Sequence, residues 1–161
     1  MMHWLTRWFA SAEPVVEAAR PRDAQKLSQL HGASFHRGWS ESEFDQLLAE
    51  RNTLTHRLRA GDEIIGFIIS RLAVDEAEIL SVAIDRAWRG RGLSRQLLQL
   101  HLGHLAGYGI RTVFLEVEEN NLPAVKLYQR SGFQVVGRRE QYYREPSGQL
   151  LSALVMQRDL S

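Results

Sequence analysis

The 161-residue chain has the composition of one globular domain, with 44% hydrophobic and 24% charged residues. Its formal net charge of +1 gives no general electrostatic reason to expect nucleic acid or an anionic membrane as a partner. Cysteine is absent, which excludes disulfides, cysteine-ligated zinc and a cysteine-borne acyl intermediate, and which agrees with a cytoplasmic protein. No apolar run approaches the roughly 20 residues of a membrane span.

Residues 1–12 are expected to form an N-terminal extension of a domain that covers residues 13–161. The segment is aromatic, but His3, Thr6 and Arg7 interrupt it, so it lacks the continuous apolar core of a signal peptide. Its aromatic residues fit one helix face, and we expect them to pack on the domain or on a neighbouring chain. Association with a membrane surface is the alternative.

Hydrophobic periodicity and turn residues divide the rest of the chain into strands and helices. Pro21 begins a first helix that we expect to stop near Gly32, and a capping box at Ser40 and Glu43 begins the second. The predicted strands cover residues 15–18, 53–59, 64–72, 78–84, 112–117, 133–143 and 150–158. Two more helices follow Gly92 and Asn121, the latter with Pro123 in its first turn.

The order of these elements, β-α-α-β-β-β-α-β-α-β-β, indicates one α/β domain with a mixed sheet. Hairpins supply its antiparallel pairs, and strands 78–84 and 112–117, which a helix joins, supply the parallel pair. His101 and His104 lie three residues apart on that helix. Because no cysteine or carboxylate cluster accompanies them, we expect a solvated helix face rather than a metal site.

A glycine-bearing turn joins strand 78–84 to its helix through the segment Arg89-Gly90-Arg91-Gly92-Leu93-Ser94. The first turn of a helix leaves backbone N–H groups unpaired, and the helix dipole adds partial positive charge there. Glycine permits close approach of a ligand to the backbone, and the arginines add fixed positive charge. The segment therefore predicts an anion site, such as one for a pyrophosphate. The P-loop and dinucleotide spacings do not fit it.

The spacing Arg89-x-x-Gly92-x-Ser94 resembles the acetyl-CoA loop of the GNAT N-acetyltransferases, with Ser94 where Gly or Ala is usual. Five further pieces are similar: Val74-Asp75-Glu76-Ala77, Leu115-Glu116-Val117, Asn121-x-x-Ala124-x-x-x-Tyr128, Ser131-Gly132-Phe133 and the loop from Phe35 to Phe44. Within the superfamily the chain most resembles the RimI branch, which acetylates the N-terminal alanine of a ribosomal protein. The resemblance implies a GNAT fold with a seven-stranded mixed sheet flanked by about four helices, acetyl-CoA as co-substrate, and no metal.

Acetyl transfer from a thioester needs an amine that has lost its proton and a leaving thiolate that gains one. The resemblance implies Glu116 as the base, acting through a water, and Tyr128 as the acid. A carboxylate suffices for an N-terminal acceptor, because an α-amino group has a pKa of about 8. Glu78, at the start of its strand and on the substrate side, is the rival base.

The remaining site residues follow from the same resemblance. The backbone of Val82, Ala83 and Ile84 would pair with the pantetheine arm as an added strand does, and Asn121 would hold that arm or cap its helix. Residues Arg89, Gly90, Arg91, Gly92, Leu93 and Ser94 would line the pyrophosphate, with Tyr128 near the thioester. The aromatic residues Phe35, Trp39, Tyr142 and Tyr143 would form the walls of a groove for a peptide N-terminus.

Two alternatives to N-terminal acetylation stay open. The acceptor can be a small-molecule amine or a lysine side chain, or the chain can be a GNAT-fold partner protein without catalysis. The presence of both Glu116 and Tyr128 favours an enzyme. The sequence leaves the oligomeric state open.

Overall fold

The structure, a computed structural model, describes residues 13–35, 37–144, 148 and 150–161, with side chains omitted at 141–144 and 150. The predicted extension, residues 1–12, lies outside the described residues. Within the described part, no helix is long and apolar enough to cross a membrane.

Seven strands and four α-helices follow one another in the predicted order in the described part of the chain. The strands are β1 Val15–Ala18, β2 Thr53–Ala60, β3 Glu63–Ala73, β4 Glu76–Ile84, β5 Thr112–Glu118, β6 Gln134–Arg144 and β7 Leu150–Asp159. The helices are α1 Ala24–Ser34, α2 Glu41–Ala49, α3 Leu93–Gly107 and α4 Leu122–Arg130. Helix α1 passes Gly32, the predicted stop. Strand β4 begins at Glu76, two residues earlier than predicted, because only Val74 and Asp75 form the turn before it.

The strands form one mixed sheet in the order β1-β2-β3-β4-β5-β7-β6, which confirms the predicted seven-stranded architecture. Only β4 and β5 are parallel, and their pairing runs from Glu76 opposite Thr112 to Ile79 opposite Leu115. On its other side β4 stays paired with β3 as far as Ile84. The second half of β4 therefore presents a free backbone edge toward β5. We call the place where β4 leaves β5 the seam.

A β-bulge in β4 lies at the seam. Ile69 of β3 is opposite Ser81, whereas the next residue, Ser70, is opposite Ile79, so Leu80 is the extra residue of β4. A bulge bends its strand and increases the local twist. It thus accounts physically for the separation of β4 from β5 directly after Ile79.

Each face of the sheet carries its own hydrophobic cluster. Helices α3 and α4 cover one face, where Leu97, Leu98 and Tyr128 pack with Leu115 of β5. Helices α1 and α2 cover the other face, where the cluster contains Leu27, Leu30, Phe44, Phe67, Ile69 and Ala83. Along β5, residues 113, 115 and 117 are buried in the first cluster, so the alternating residues 114, 116 and 118 face the second.

The prediction of a solvated face at His101 and His104 is wrong for His101, which has no solvent exposure. Its Nε2 lies 2.7 Å from the Ser70 hydroxyl, and its Nδ1 lies 2.7 Å from Nδ1 of His56. Burial lowers the pKa of His101 to about 3 and that of His56 to about 4. The described residues contain no cluster of side chains suited to a metal ion. The histidines therefore form a buried hydrogen-bonded chain between α3 and the sheet.

Candidate active site

The loop between β4 and α3 presents backbone donors to an open space. Gly90 and Gly92 have φ angles of +79° and +75°, in the left-handed region that glycine adopts without strain. Gly92 is the N-cap residue of α3 and has no side chain to accept from the first turn. A Cβ atom built at either glycine would meet no other atom within 4 Å. Glycine is thus required here because of the positive φ angles and not because neighbouring atoms leave no room for a side chain. The space in front of the helix is available to an anion.

The side chains of the two loop arginines contact the protein itself. The Arg89 guanidinium donates to the Ile84 carbonyl oxygen at 3.0 Å and to the Ser34 hydroxyl at 3.1 Å. The Arg91 guanidinium lies 4.7 Å from the ring centroid of Trp88, a cation–π contact. Arg89 therefore ties the loop to the ends of β4 and α1.

The free edge of β4 offers backbone groups rather than side chains. Val82 is half-buried against one hydrophobic cluster, and Ala83 and Ile84 are buried in the two clusters. The Ser81 hydroxyl, just after the bulge, is buried and has no hydrogen-bond partner within the described part of the chain. Asn121 caps α4, because its side-chain oxygen accepts from the Ala124 N–H at 3.3 Å.

A cavity of about 1000 Å³ lies on the face of the sheet that α1 and α2 cover. We call it the α1–α2 cavity. Leu80 and Glu116 both line it, so it reaches the seam. The Glu116 side chain is 23% exposed, and its carboxylate lies 3.2 Å from Nε of Arg139 on β6. The other lining residues are His31, Phe35, Arg37, Trp39, Glu43, Gln46, Leu47, Glu50, Arg71, Glu118 and Leu151.

Three stacked rings form the α1 wall of this cavity. The His31 ring lies between those of Phe35 and Trp39, with both centroids 4.3 Å away. The backbone N–H of Trp39 donates to Nδ1 of His31 at 3.0 Å, and this hydrogen bond fixes the loop that follows α1. Burial lowers the pKa of His31 to about 4, so the imidazole is neutral at physiological pH. Sequence reasoning named Phe35 and Trp39 but missed His31, whose only signal was helical spacing from Leu27.

Tyr128 lies on the opposite face of the sheet from Glu116. Its ring is buried and packs edge-on against Phe133 at 5.8 Å between centroids. Burial raises the pKa of the Tyr128 phenol to about 12, so the hydroxyl keeps its proton at neutral pH. Tyr128 does not belong to the described residues that line the α1–α2 cavity. The structure thus places the predicted base and acid on opposite faces of β5.

The other predicted substrate residues are less closely associated with the cavity. Glu78 is exposed beside Arg71 and Phe114, outside the set of described residues that line the cavity. The side chains of Tyr142 and Tyr143 lie outside the described residues. The backbone of Tyr143 pairs with Leu151, which lines the cavity. Glu118, the last residue of β5, is also a lining residue.

Comparison with known proteins gives a family match over residues 24–133, to the acetyltransferase (GNAT) family. The [ribosomal protein bS18]-alanine N-acetyltransferase of Haemophilus ducreyi is 31% identical over 88% of this chain and 97% of its own length. The N-alpha-acetyltransferase RimI of Mycobacterium tuberculosis is 36% identical over 93% of this chain and 96% of its own. The crystal structure of the Escherichia coli ribosomal-protein-S18-alanine N-acetyltransferase superposes with a TM-score of 0.87 at 26% identity, covering 92% of this chain and 95% of that one. The chain therefore belongs to the GNAT acetyltransferase family and is an N-acetyltransferase with acetyl-CoA as its co-substrate.

Proposed function

We propose that this N-acetyltransferase transfers an acetyl group from acetyl-CoA to the N-terminal alanine amine of a ribosomal protein, by direct attack in a ternary complex. The observation that supports it best is the position of Glu116, at the seam and in the lining of a cavity of about 1000 Å³. The acceptor follows from the relatives, whose names specify the alanine of ribosomal protein bS18. The chain has no cysteine for a covalent thioester intermediate.

The residues around the seam fit acetyl-CoA, which supplies an activated thioester and a pyrophosphate. Backbone N–H groups at the N-terminus of α3, from Gly92 to Ser94, would hold the pyrophosphate. The free edge of β4, at Val82, Ala83 and Ile84, would pair with the pantetheine arm. The unpartnered Ser81 hydroxyl supports a polar ligand at the bulge, because buried hydroxyls are normally hydrogen-bonded.

Glu116 is proposed to take the proton of the acceptor amine through a water molecule. The charges at the cavity favour a cationic acceptor, since carboxylates outnumber arginines even when the Arg139 paired with Glu116 is counted. The carboxylates are Glu43, Glu50, Glu116 and Glu118, and the arginines are Arg37, Arg71 and Arg139. A peptide N-terminus with a pKa of about 8 enters mostly protonated at neutral pH and must be deprotonated before attack. Glu116 is the lining carboxylate on β5 next to the end of β4–β5 pairing, which is why we assign it this role.

Tyr128 is proposed to donate its proton to the leaving thiolate on the other face of the seam. The buried phenol keeps its proton at neutral pH and so can donate it to the sulfur as the C–S bond breaks. The phenolate that remains is a stronger base than the thiolate and regains a proton from solvent. The leaving thiolate must gain a proton to be released as a neutral thiol, a group whose pKa is about 8.5 in cysteine.

The acceptor is tested by measuring free thiol released from acetyl-CoA with short peptides. We expect turnover on a peptide that begins with alanine and none when its N-terminus is blocked. A second peptide, with a blocked N-terminus and a free lysine, tests the lysine alternative. Turnover on the lysine peptide alone, or on neither peptide despite measurable coenzyme A binding, would contradict the proposed acceptor.

The base is tested by a matched pair of variants, Glu116→Gln and Glu78→Gln. Each removes one charge and keeps the shape of the side chain, and both residues lie on the same face of adjacent strands. We expect E116Q to lower kcat/KM on the alanine peptide about 100-fold or more, as loss of a general base does. E78Q should stay within about threefold of the wild type. The reverse result would assign the base to Glu78.

A further inference from the structure

The hydrogen bond between Trp39 and His31 fixes which nitrogen of the imidazole carries the proton. The Trp39 backbone N–H donates to Nδ1, so Nδ1 is the acceptor and holds no proton. A neutral imidazole has one N–H, which must then be on Nε2. His31 therefore presents a hydrogen-bond donor at the edge of its ring away from Trp39.

That Nε2–H has no acceptor within the described part of the chain, and it is not among the described polar atoms that are buried without a partner, so a ligand can reach it although His31 as a whole is only 3% exposed. The stacked rings of Phe35 and Trp39 cover its two faces and hold its plane. His31 nevertheless lines the α1–α2 cavity, which Glu116 also lines. The donor is therefore open to the cavity, and the two stacked rings hold it rigidly beside the proposed acceptor site.

We infer that Nε2–H of His31 binds the acceptor by donating a hydrogen bond to one of its first two peptide carbonyl oxygens. The inference rests on the proposed function and names how the site distinguishes a peptide N-terminus from other amines. A protonated amine is itself only a donor, so the complement of the His31 donor is a carbonyl oxygen close to the amine. An N-terminal residue provides such an oxygen three bonds from its α-nitrogen. A lysine side chain separates its amine from the backbone by four methylene groups.

Two substitutions separate the donor of His31 from its role in holding the loop. In His31→Asn the side-chain oxygen can occupy the place of Nδ1 and keep the bond to Trp39, while the Nε2 donor is lost. In His31→Gln the amide nitrogen can occupy the place of Nε2, while the bond to Trp39 is lost. We expect H31N to raise KM for the alanine peptide about three- to tenfold with kcat within about twofold. H31Q should keep KM nearer the wild-type value and lower the unfolding temperature more.

The decisive experiment combines H31N with altered acceptors. In two versions of the alanine peptide, an E-alkene replaces the first or the second peptide bond and removes its carbonyl oxygen. For the wild type, one of these replacements should raise KM about three- to tenfold, and for H31N the same replacement should change it less than about twofold. Equal changes in both proteins for both replacements would overturn the inference, and His31 would then only support the wall.

A second measurement does not depend on how the variants fold. In wild-type protein labelled with ¹⁵N-histidine, the Nε2 resonance of His31 should shift when the alanine peptide is added with coenzyme A, and should shift less with the matching alkene peptide. An unchanged resonance under saturating peptide would overturn the inference while leaving N-terminal acetylation intact. No wild-type turnover on any peptide would overturn the proposed acceptor and this inference together.

Discussion

Replacement of Tyr128 by phenylalanine should separate catalysis from stability, because it removes one oxygen and keeps the packed ring. The hydroxyl makes no hydrogen bond within the described part of the chain, and the contact with Phe133 involves the ring alone. The variant therefore loses no hydrogen bond made by the described residues and keeps the packed ring. We expect the free energy of unfolding at pH 8 to stay within about 1 kcal/mol of the wild-type value. The loss of the proposed acid should lower kcat about 100- to 10,000-fold.

The raised pKa of Tyr128 adds a second expectation for stability at high pH. In the unfolded chain the phenol titrates near its model value of 10.0, whereas in the folded protein it titrates at about 12. Between these values the unfolded state loses a proton that the folded state keeps, so stability falls as pH rises. Two pKa units correspond to about 3 kcal/mol, which the wild type should lose between pH 10 and 12 and the variant should not.

Thiol release from acetyl-CoA measures kcat, and urea unfolding at pH 8 and pH 11 measures stability. Tyr108→Phe is the matched control, because Tyr108 is 65% exposed at the end of α3. It should change neither kcat nor the pH dependence of unfolding. A kcat for Y128F within about threefold of the wild type would refute the acid role, since a general acid contributes far more. An equal loss of stability at pH 11 in wild type and Y128F would refute the assignment of the raised pKa to burial of this phenol.

Three further predictions concern the loop, a buried ion pair and the histidine chain. Gly92→Ala should weaken coenzyme A binding in calorimetry about tenfold, whereas Gly109→Ala, an equally open positive-φ glycine after α3, should cost similar stability without that loss. Asp23→Asn removes the carboxylate that pairs with Arg57 at 2.9 Å in the interior, and urea unfolding should show a loss of about 3 kcal/mol. As pH falls from 6.5 toward 4, the unfolded chain takes up protons that the folded chain does not bind at His101, His56 and His31, so stability should fall. Each histidine contributes up to about 1.4 kcal/mol per pH unit, and His101→Leu should remove the contribution of His101.

The sequence predicted the elements well wherever the signal was local. The capping box at Ser40 and Glu43 forms both expected bonds at 3.1 Å, and α2 begins there. The bulge at Leu80 had no comparable signal, because the apolar run around it contains no glycine or proline. Its position depends on how β3 pairs with β4, which is a property of two strands rather than of one.

The burial of His101 shows how a local pattern can be right while the chemistry is misjudged. His101 lies four residues from both Leu97 and Leu105, so helical spacing alone places it on the buried face of α3. A polar ring is expected to face solvent, but this one is buried because Ser70 and His56 supply its hydrogen-bond partners. Those partners lie on β2 and β3, far away in the sequence. Whether a polar side chain is buried therefore depends on tertiary hydrogen bonds, which hydrophobic periodicity along the sequence does not indicate.

The arrangement of the proposed catalytic residues depends both on local strand geometry and on how distant elements pack. Alternation along β5 sends Glu116 to one face of the sheet and Leu115 and Val117 to the other, as strand geometry predicts. Tyr128 lies on that other face, because α4 packs there. Two groups on opposite faces of a continuous sheet could not act on one bond. The bulge at Leu80 opens the seam between the faces, and we expect the acceptor to approach it from the α1–α2 cavity while the thiolate leaves toward Tyr128.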